Sequence, residues 1–168
     1  MIWFWPIITI LLFYFFALLQ SSFLIYFNLF GTVPNLIFIL FFILVFFSEK
    51  DSYYRLFFCA IMAGTFLDIF SVSKFGISII LLTLIGLAVK KIQTLLKERD
   101  DNYPFAYFFS LFLGSLLAYN LLSQNISINF NQRFFTEIVY SSVIAILGFF
   151  IYKKFCGLKN KGKQKRFF

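Results

Sequence analysis

The chain of 168 residues is too apolar for a water-soluble domain: 61% of its residues are hydrophobic, 13% are charged and the mean hydropathy is +0.89. Soluble proteins are nearer half apolar and a quarter charged. A net charge of +8 would suit a nucleic-acid binder, but seven of the 15 basic residues follow Tyr152, beside an apolar run. Basic residues in such positions indicate membrane topology and contact with anionic lipid, so we expect no nucleic-acid partner.

The residue types that usually carry catalysis or bind metal are scarce. The chain has no His, and its two cysteines are far apart, Cys59 inside an apolar run and Cys156 at the start of the basic tail. This pattern supports neither a disulfide framework nor a zinc site nor a Cys–His nucleophile. The sequence also lacks a Gly-rich phosphate loop and a Ser/His/Asp set. We therefore expect a non-enzymatic protein without cofactor or metal.

Six apolar runs predict six membrane spans. Because a helix rises about 1.5 Å per residue, crossing a ~30 Å hydrocarbon core takes roughly 20 residues. The predicted helices cover 3–27, 34–48, 53–71, 75–92, 103–124 and 134–155. The apolar stretches at 36–47 and 77–89 are short, which leaves open whether they cross completely. The prediction is an all-α integral membrane protein, with one six-helix domain over 1–157 and a basic cytoplasmic tail over 158–168, disordered from Lys159 to Phe168.

The basic residues between these runs predict the direction of each span. Thirteen of the 15 Lys and Arg residues follow the second, fourth and sixth runs, whereas only Lys74 and Arg133 lie on the opposite side. Cytoplasmic loops of membrane proteins carry the excess of Lys and Arg. The distribution therefore predicts that both termini are cytoplasmic, and that the basic C-terminal tail contacts anionic lipid.

Two acidic residues, Asp68 and Glu137, lie inside apolar runs. A carboxylate within a membrane is costly, which makes both of them candidates for a functional site. The predicted topology places them near the outer face, as it does Lys74 and Arg133. Glu137 lies near a helix N-terminus, where it could equally be a structural cap or a salt-bridge partner. Asp68 lies near a helix C-terminus, where the helix dipole opposes its charge, so it needs a specific partner.

Small residues recur at helical spacing on three of the predicted spans. The stripes are Ala60, Gly64 and Asp68 on the third, Ser110, Gly114 and Ala118 on the fifth, and Glu137, Ser141, Ala145 and Gly148 on the sixth. Small residues permit membrane helices to approach closely, so all three stripes predict packing between helices. Because both acids belong to such stripes, we expect them to point into the bundle.

The order and spacing of several short motifs resemble a known family. Pro34-Asn35-Leu36 opens the second span, Gly64-Thr-Phe-Leu-Asp68 closes the third with Ile-Phe-Ser71, and Phe75-Gly76 opens the fourth. This pattern resembles the bacterial rod shape-determining protein MreD, and the length, six-span layout and basic C-terminus are similar over the whole chain. The diagnostic residues cover about 31–80. Val72 and Ser73 stand where that family often places a Gly after the Ser.

The resemblance implies a scaffold in the cell-elongation machinery that builds lateral peptidoglycan, located in the bacterial cytoplasmic membrane. Its partner would be an MreC-like single-span protein, with the MreB filament and a transpeptidase and polymerase pair in the same complex. The family is similar in architecture to the six-helix substrate-binding subunits of energy-coupling-factor vitamin transporters. It therefore implies an outward cavity, and the predicted outer pocket for a partner or ligand comprises Pro34, Asn35, Gly64, Asp68, Lys74, Gly76, Arg133 and Glu137.

Two other functions remain open from the sequence. The same cavity could hold a small solute or vitamin in a transport subunit, although the first and fourth spans carry no extra polar residues. It could instead hold a lipid-linked cell-wall precursor, whose phosphates Lys74 and Arg133 would meet.

Overall fold

The structure is a computed structural model that describes residues 4–27, 32–48, 52–70, 75–96, 105–123 and 132–164. These residues form six α-helices: α1 (Phe4–Leu18), α2 (Leu36–Phe46), α3 (Tyr53–Phe70), α4 (Ile77–Leu96), α5 (Phe105–Ser123) and α6 (Gln132–Gln164). Five helical segments in this part of the chain are long and apolar enough to cross a membrane. The prediction of an all-α, multi-pass membrane protein is therefore confirmed.

Two helices run beyond their predicted ends. α4 ends at Leu96 rather than at residue 92, and α6 continues to Gln164 rather than ending at 155. The first part of the basic tail, which was predicted to be disordered, thus continues a helix. For α4 the physical reason is that Lys and Gln end an apolar stretch without ending a helix, because both are good helix formers, whereas Gly157 and Gly162 give the extension of α6 no such support.

α2 is the centre of the bundle, and the other five helices surround it in the order α1, α3, α4, α5, α6. Nine of its 11 residues are buried. The sequence of α2 explains this position, since it consists only of Leu, Ile, Phe and Val and has no polar face to turn outward. A helix that is apolar all round is typically a buried one.

α2 is too short to cross a bilayer as a helix, because 11 residues span only ~16 Å. The four non-helical residues before it, 32–35, can add up to ~13 Å, so the two parts together approach the thickness of the hydrocarbon core. Backbone without helical hydrogen bonds is tolerated at membrane depth only where protein covers it. Thr32, Pro34 and Asn35 are indeed buried.

Aromatic rings fill the contact between α2 and α5. Phe42 lies with its ring centroid 5.2 Å from that of Phe112, and Phe46 lies 5.0 Å from Phe108, both in edge-to-face geometry. All four side chains are at most 2% exposed. Edge-to-face pairs of this kind contribute about 0.5–1.5 kcal/mol each beyond the area they bury.

α3 and α4 approach most closely where α3 carries its small residues. A Cβ added to Gly64 would lie 2.5 Å from the Cα of Ile79 on α4, which is closer than real Cβ atoms come. Ala60 on the same stripe is fully buried. The stripe predicted on the third span therefore packs one helix against another, as expected.

Gly64→Ala should lower the thermal unfolding temperature of the purified protein in detergent. The new methyl would collide with backbone atoms that cannot rotate away, and overpacking of this kind costs about 1–3 kcal/mol. Gly114→Ala on α5 is the matched control, because a Cβ there meets nothing within 4 Å. Both changes improve helix propensity equally. Equal unfolding temperatures for the two variants would contradict the close α3–α4 contact.

Candidate functional site

Polar side chains from three different parts of the chain hold the N-terminus of α2. The Asn35 side-chain oxygen accepts the backbone N–H of Phe38 at 3.0 Å, as an N-cap. The backbone N–H of Asn35 donates to Ser141 Oγ on α6 at 3.2 Å. The backbone N–H of Ile37 donates to Gln20 Oε1 at 3.3 Å. The first N–H groups of any helix lack intrahelical acceptors, and here other elements supply them.

Gln20 lies in a local distortion of the first span. α1 changes at Leu19–Phe23 into a π-helical turn and at Leu24–Phe27 into a 3₁₀ turn. A π turn rotates the side chains that follow it relative to a regular α-helix. The distortion thus lies at Gln20, whose side chain contacts the N-terminus of α2.

α4 holds the opposite end of α2. Lys90 Nζ donates to the backbone oxygen of Ser48 at 2.9 Å, and Gln93 Nε2 donates to that of Phe46 at 3.0 Å. Lys90 is 1% exposed and Gln93 is 2% exposed. The last carbonyls of a helix need donors from outside it, and a cation there also interacts favourably with the helix dipole. Lys90 was counted among the cytoplasmic basic residues that determine the topology, whereas here its ammonium group lies inside the bundle and binds the turn that follows α2.

Asp68 has the specific partner that its position requires. Its carboxylate accepts the backbone N–H of Gly76 at 2.6 Å and that of Ser78 at 3.2 Å. Both N–H groups belong to the start of α4, so the carboxylate lies at the positive end of a helix dipole. Gly76 has a φ of 100°, a backbone conformation that favours glycine. Asp68 therefore joins the end of α3 to the beginning of α4.

Tyr119 connects this cap to the rest of the bundle. Its hydroxyl lies 3.2 Å from Ser78 Oγ, and its ring centroid lies 5.3 Å from that of Phe38 at the start of α2. Thr136, next to Glu137 on α6, lies with its Oγ1 3.1 Å from that of Thr32 before α2. The end of the bundle that holds the N-terminus of α2, called here the Asn35 end, thus holds Asp68 and Glu137.

Two polar groups at the Asn35 end have no hydrogen-bond partner among the described residues. Glu137 is half-buried, and it lies in the second turn of α6, beyond the first-turn N–H groups that a helix cap would bind. Asn120 is 3% exposed, and its Nδ2 has no acceptor within the described part of the chain. Glu137 therefore does not act as the helix cap that its sequence position suggested.

The predicted outer pocket is only partly described, and its described members mostly serve the fold. Pro34 and Asn35 are buried at the start of α2, Gly64 packs against α4, and Gly76 carries the turn that Asp68 caps. Lys74 lies outside the described residues, and Arg133 belongs to α6 without a described side chain. The described members other than Glu137 therefore secure helix ends and a helix contact.

A groove of about 230 Å³ lies elsewhere, between α4 and α5. Its lining includes the small residues Ala88, Ser110, Gly114, Ser115 and Ala118. A Cβ added to Gly114 would meet nothing within 4 Å, whereas one added to Gly148 on α6 would lie 2.7 Å from Ile43 Cδ1. The stripes on α3 and α6 thus pack against neighbouring helices of the chain, as expected, whereas the α5 stripe lies along an open groove. This surface is called the α4–α5 groove.

Comparison of the chain with protein-family models, with curated proteins and with solved structures gives no match.

Sequence reasoning missed four residues that hold the helix ends, namely Gln20, Lys90, Gln93 and Tyr119. Gln20 offered a signal, because an amide inside an apolar run is costly unless it is hydrogen-bonded. Lys90 and Gln93 offered a weaker one, since a spacing of three places both on one helix face. Tyr119 offered none, because Tyr is common in membrane helices near the interface.

Asp68→Ala should lower the unfolding temperature markedly, because it leaves the buried N–H of Ser78 and the partly buried N–H of Gly76 without an acceptor, and a buried group costs about 1–3 kcal/mol. Asp68→Asn keeps one oxygen that can accept and should fall between Asp68→Ala and the wild type. Thermal unfolding of the purified protein in detergent measures both. Wild-type stability of Asp68→Ala would show that the cap contributes nothing.

Lys90→Met should also destabilise the protein, since the Ser48 carbonyl at the end of α2 loses its donor. Leaving one buried acceptor unsatisfied costs about 1–3 kcal/mol. Lys91→Met removes the same charge from an exposed neighbour and is the matched control. The same thermal unfolding assay compares them, and equal losses would indicate a general effect of charge rather than the cap.

Proposed function

We propose that the chain is a non-enzymatic membrane scaffold of the bacterial cell-elongation machinery, and that it binds the single span of an MreC-like partner in the α4–α5 groove. It lies in the cytoplasmic membrane with both termini in the cytoplasm. The charge distribution and the resemblance of the Pro34-Asn35, Gly64-to-Asp68 and Phe75-Gly76 segments to MreD support this assignment.

The unused stripe of small residues on α5 carries the proposal. Gly64 on α3 and Gly148 on α6 are filled by neighbouring helices of the same chain, whereas Gly114 faces open space. Ser110 is exposed and Ala118 is partly exposed beside it. In a membrane, where apolar burial gives no net driving force, close backbone approach at small residues is a main source of helix association. A face of this kind that no helix of the chain covers suits a helix of another chain.

The groove also has a definite depth. Its α4 lining runs from Ile85 to Ile92, which includes the turn around Lys90, and its α5 lining runs from Ser110 to Ala118, in the middle of that helix. The predicted orientation assigns this part of α4 to the cytoplasmic leaflet and this part of α5 to the centre of the membrane. The proposed partner span would therefore pack most closely between the membrane centre and the cytoplasmic side, where an elongation complex meets its cytoplasmic filament.

The residues that carry the resemblance to MreD support a scaffold in a second way. Asn35 caps α2, Asp68 caps α4, Gly64 permits the α3–α4 contact and Gly76 forms the turn between them. Each acts on the backbone of the chain itself. Motif residues with such roles determine the architecture of the bundle, which a docking protein needs. They do not form a reacting group.

A transport or precursor-binding subunit is the second candidate. Asn120 Nδ2 and the Glu137 carboxylate are polar groups at the Asn35 end without a described partner. A bound polar solute or lipid-linked sugar could supply hydrogen bonds to both. Stabilisation against heat by one class of metabolite, or a co-purified lipid-linked sugar identified by mass spectrometry, would favour this candidate over the scaffold.

Gly114→Leu should abolish capture of a co-expressed, tagged MreC-like protein, because leucine fills the α4–α5 groove. We expect at least a tenfold loss in the amount captured from detergent extracts, measured by quantitative immunoblot. The unfolding temperature should not fall, since the groove leaves room for the added side chain and a Cβ at position 114 has no atom within 4 Å.

Val143→Leu on α6 is the matched control, because Val143 is 52% exposed and lies outside the groove. It should capture the partner as the wild type does. Full capture by Gly114→Leu would sink the assignment of the groove as the docking site.

A further inference from the structure

The α4–α5 groove is a depression with small residues at its rim and larger apolar residues at its floor. Ala88 on α4 and Ser110 and Gly114 on α5 are exposed at the rim. Ile85 and Val89 form part of the floor and are 7% and 3% exposed. The small rim residues thus leave the entrance open to a side chain of a neighbouring helix.

The space below the rim is large enough for one aromatic ring. Its volume is about 230 Å³. An apolar cavity of roughly 150 Å³ already holds a benzene molecule. If a partner helix covered the groove and left this space empty, the lining atoms would lack packing contacts on one side, which weakens association. Stable packing of a helix on the groove therefore requires a bulky side chain that enters it.

The lining of the groove favours an apolar side chain over a polar one. Ser110 Oγ donates to the backbone oxygen of Tyr107 at 3.1 Å. Ser115 Oγ donates to that of Phe112 at 2.8 Å. Both hydroxyl hydrogens are thus used within α5, and none of the lining residues is charged. Because burial of a polar group without a hydrogen bond is costly, phenylalanine suits the groove better than a side chain with a polar atom.

Lys91 borders the groove on its predicted cytoplasmic side. It is exposed and lies three residues after Ala88, nearly one turn further along α4. Lys90 beside it is buried and donates to Ser48, so its charge is directed into the bundle. Lysine extends its ammonium group towards the membrane surface. An acidic side chain of a partner helix would lie opposite Lys91 if it were about one to two turns nearer the cytoplasm than the inserted ring.

We propose that the partner span inserts one phenylalanine ring into the α4–α5 groove and pairs an acidic residue, about one to two turns nearer the cytoplasm, with Lys91. This inference rests on the proposed function, because it specifies the partner that the groove accepts. The recognition pattern is a ring and a carboxylate on one face of the partner helix, about four to seven residues apart.

A size series at position 114 tests the ring, with capture of the co-expressed, tagged MreC-like protein as the measurement. Gly114→Ala should lower capture less than about threefold, since alanine already forms other parts of the rim and its methyl takes little of the cavity. Gly114→Leu should lower capture at least about tenfold. An equally large loss in Gly114→Ala would show that the partner backbone lies directly on α5, and would overturn the insertion of a ring.

Compensating changes in the partner test the ring independently. Each phenylalanine of the partner span is changed to alanine in turn, and each variant is captured with the wild type and with Gly114→Leu. One of these changes should weaken capture by the wild type and restore capture by Gly114→Leu, because the leucine then occupies the space that the ring has left. Val143→Leu lies outside the groove and should show no such rescue.

Charge reversal tests the pairing at Lys91. Lys91→Glu should weaken capture about fivefold at low salt, and a change of the partner's acidic residue to lysine should restore it. The difference should diminish at high salt, which screens an exposed ion pair. Lys154→Glu is the matched control, because Lys154 is an exposed lysine on α6 away from the groove. It should capture the partner as the wild type does.

The outcomes separate this inference from the proposed function. Full capture by Gly114→Leu would contradict both, since nothing would then dock in the groove. A loss in Gly114→Leu that no change of a partner phenylalanine restores would leave docking intact and overturn the ring. Equal losses in Lys91→Glu and Lys154→Glu would overturn the pairing, because they would indicate a general effect of charge.

Discussion

Both ends of a short helix lie inside an apolar bundle, and the rest of the structure depends on how they are satisfied. α2 covers only 11 residues, so its terminal N–H and C=O groups cannot reach water at both membrane surfaces. Each unsatisfied group would cost several kcal/mol in hydrocarbon. Gln20, Asn35 and Ser141 meet this demand at one end, and Lys90 and Gln93 at the other. These contacts tie α1, α4 and α6 to the centre.

This constraint explains how most of the polar side chains described inside the bundle are used. In the same way, the Asp68 carboxylate binds backbone N–H groups at the start of α4. The Ser78 hydroxyl in that turn lies within hydrogen-bond distance of the Tyr119 hydroxyl. The small residues around Gly114 on α5 are not filled by any helix among the described residues, and there we propose that a helix of another chain packs.

Part of the candidate site could be predicted from the sequence, because the free-energy cost of placing a charged side chain in a membrane follows from the residue type. Asp68 was expected to need a specific partner, since its charge opposes the dipole at the end of α3, and it has one. The identity of that partner was not readable, because backbone N–H groups are alike at every position. The role of Lys90 was not predicted. A lysine at the edge of an apolar run is normally interpreted as a charge at the membrane interface. Only the position of α2 beside Lys90 shows that it donates to the backbone.

By itself the sequence determined that this is an all-α, multi-pass membrane protein with six helices, because hydropathy over each run depends on no other part of the chain. It also determined that small residues line faces of α3, α5 and α6. Only the tertiary structure decided which of these faces are covered. Gly64 and Gly148 meet neighbouring helices and Gly114 does not, since contact depends on the order of helices around α2. That order, set by the hydrogen bonds at the ends of α2 and by the aromatic rings along it, leaves the α4–α5 groove unfilled.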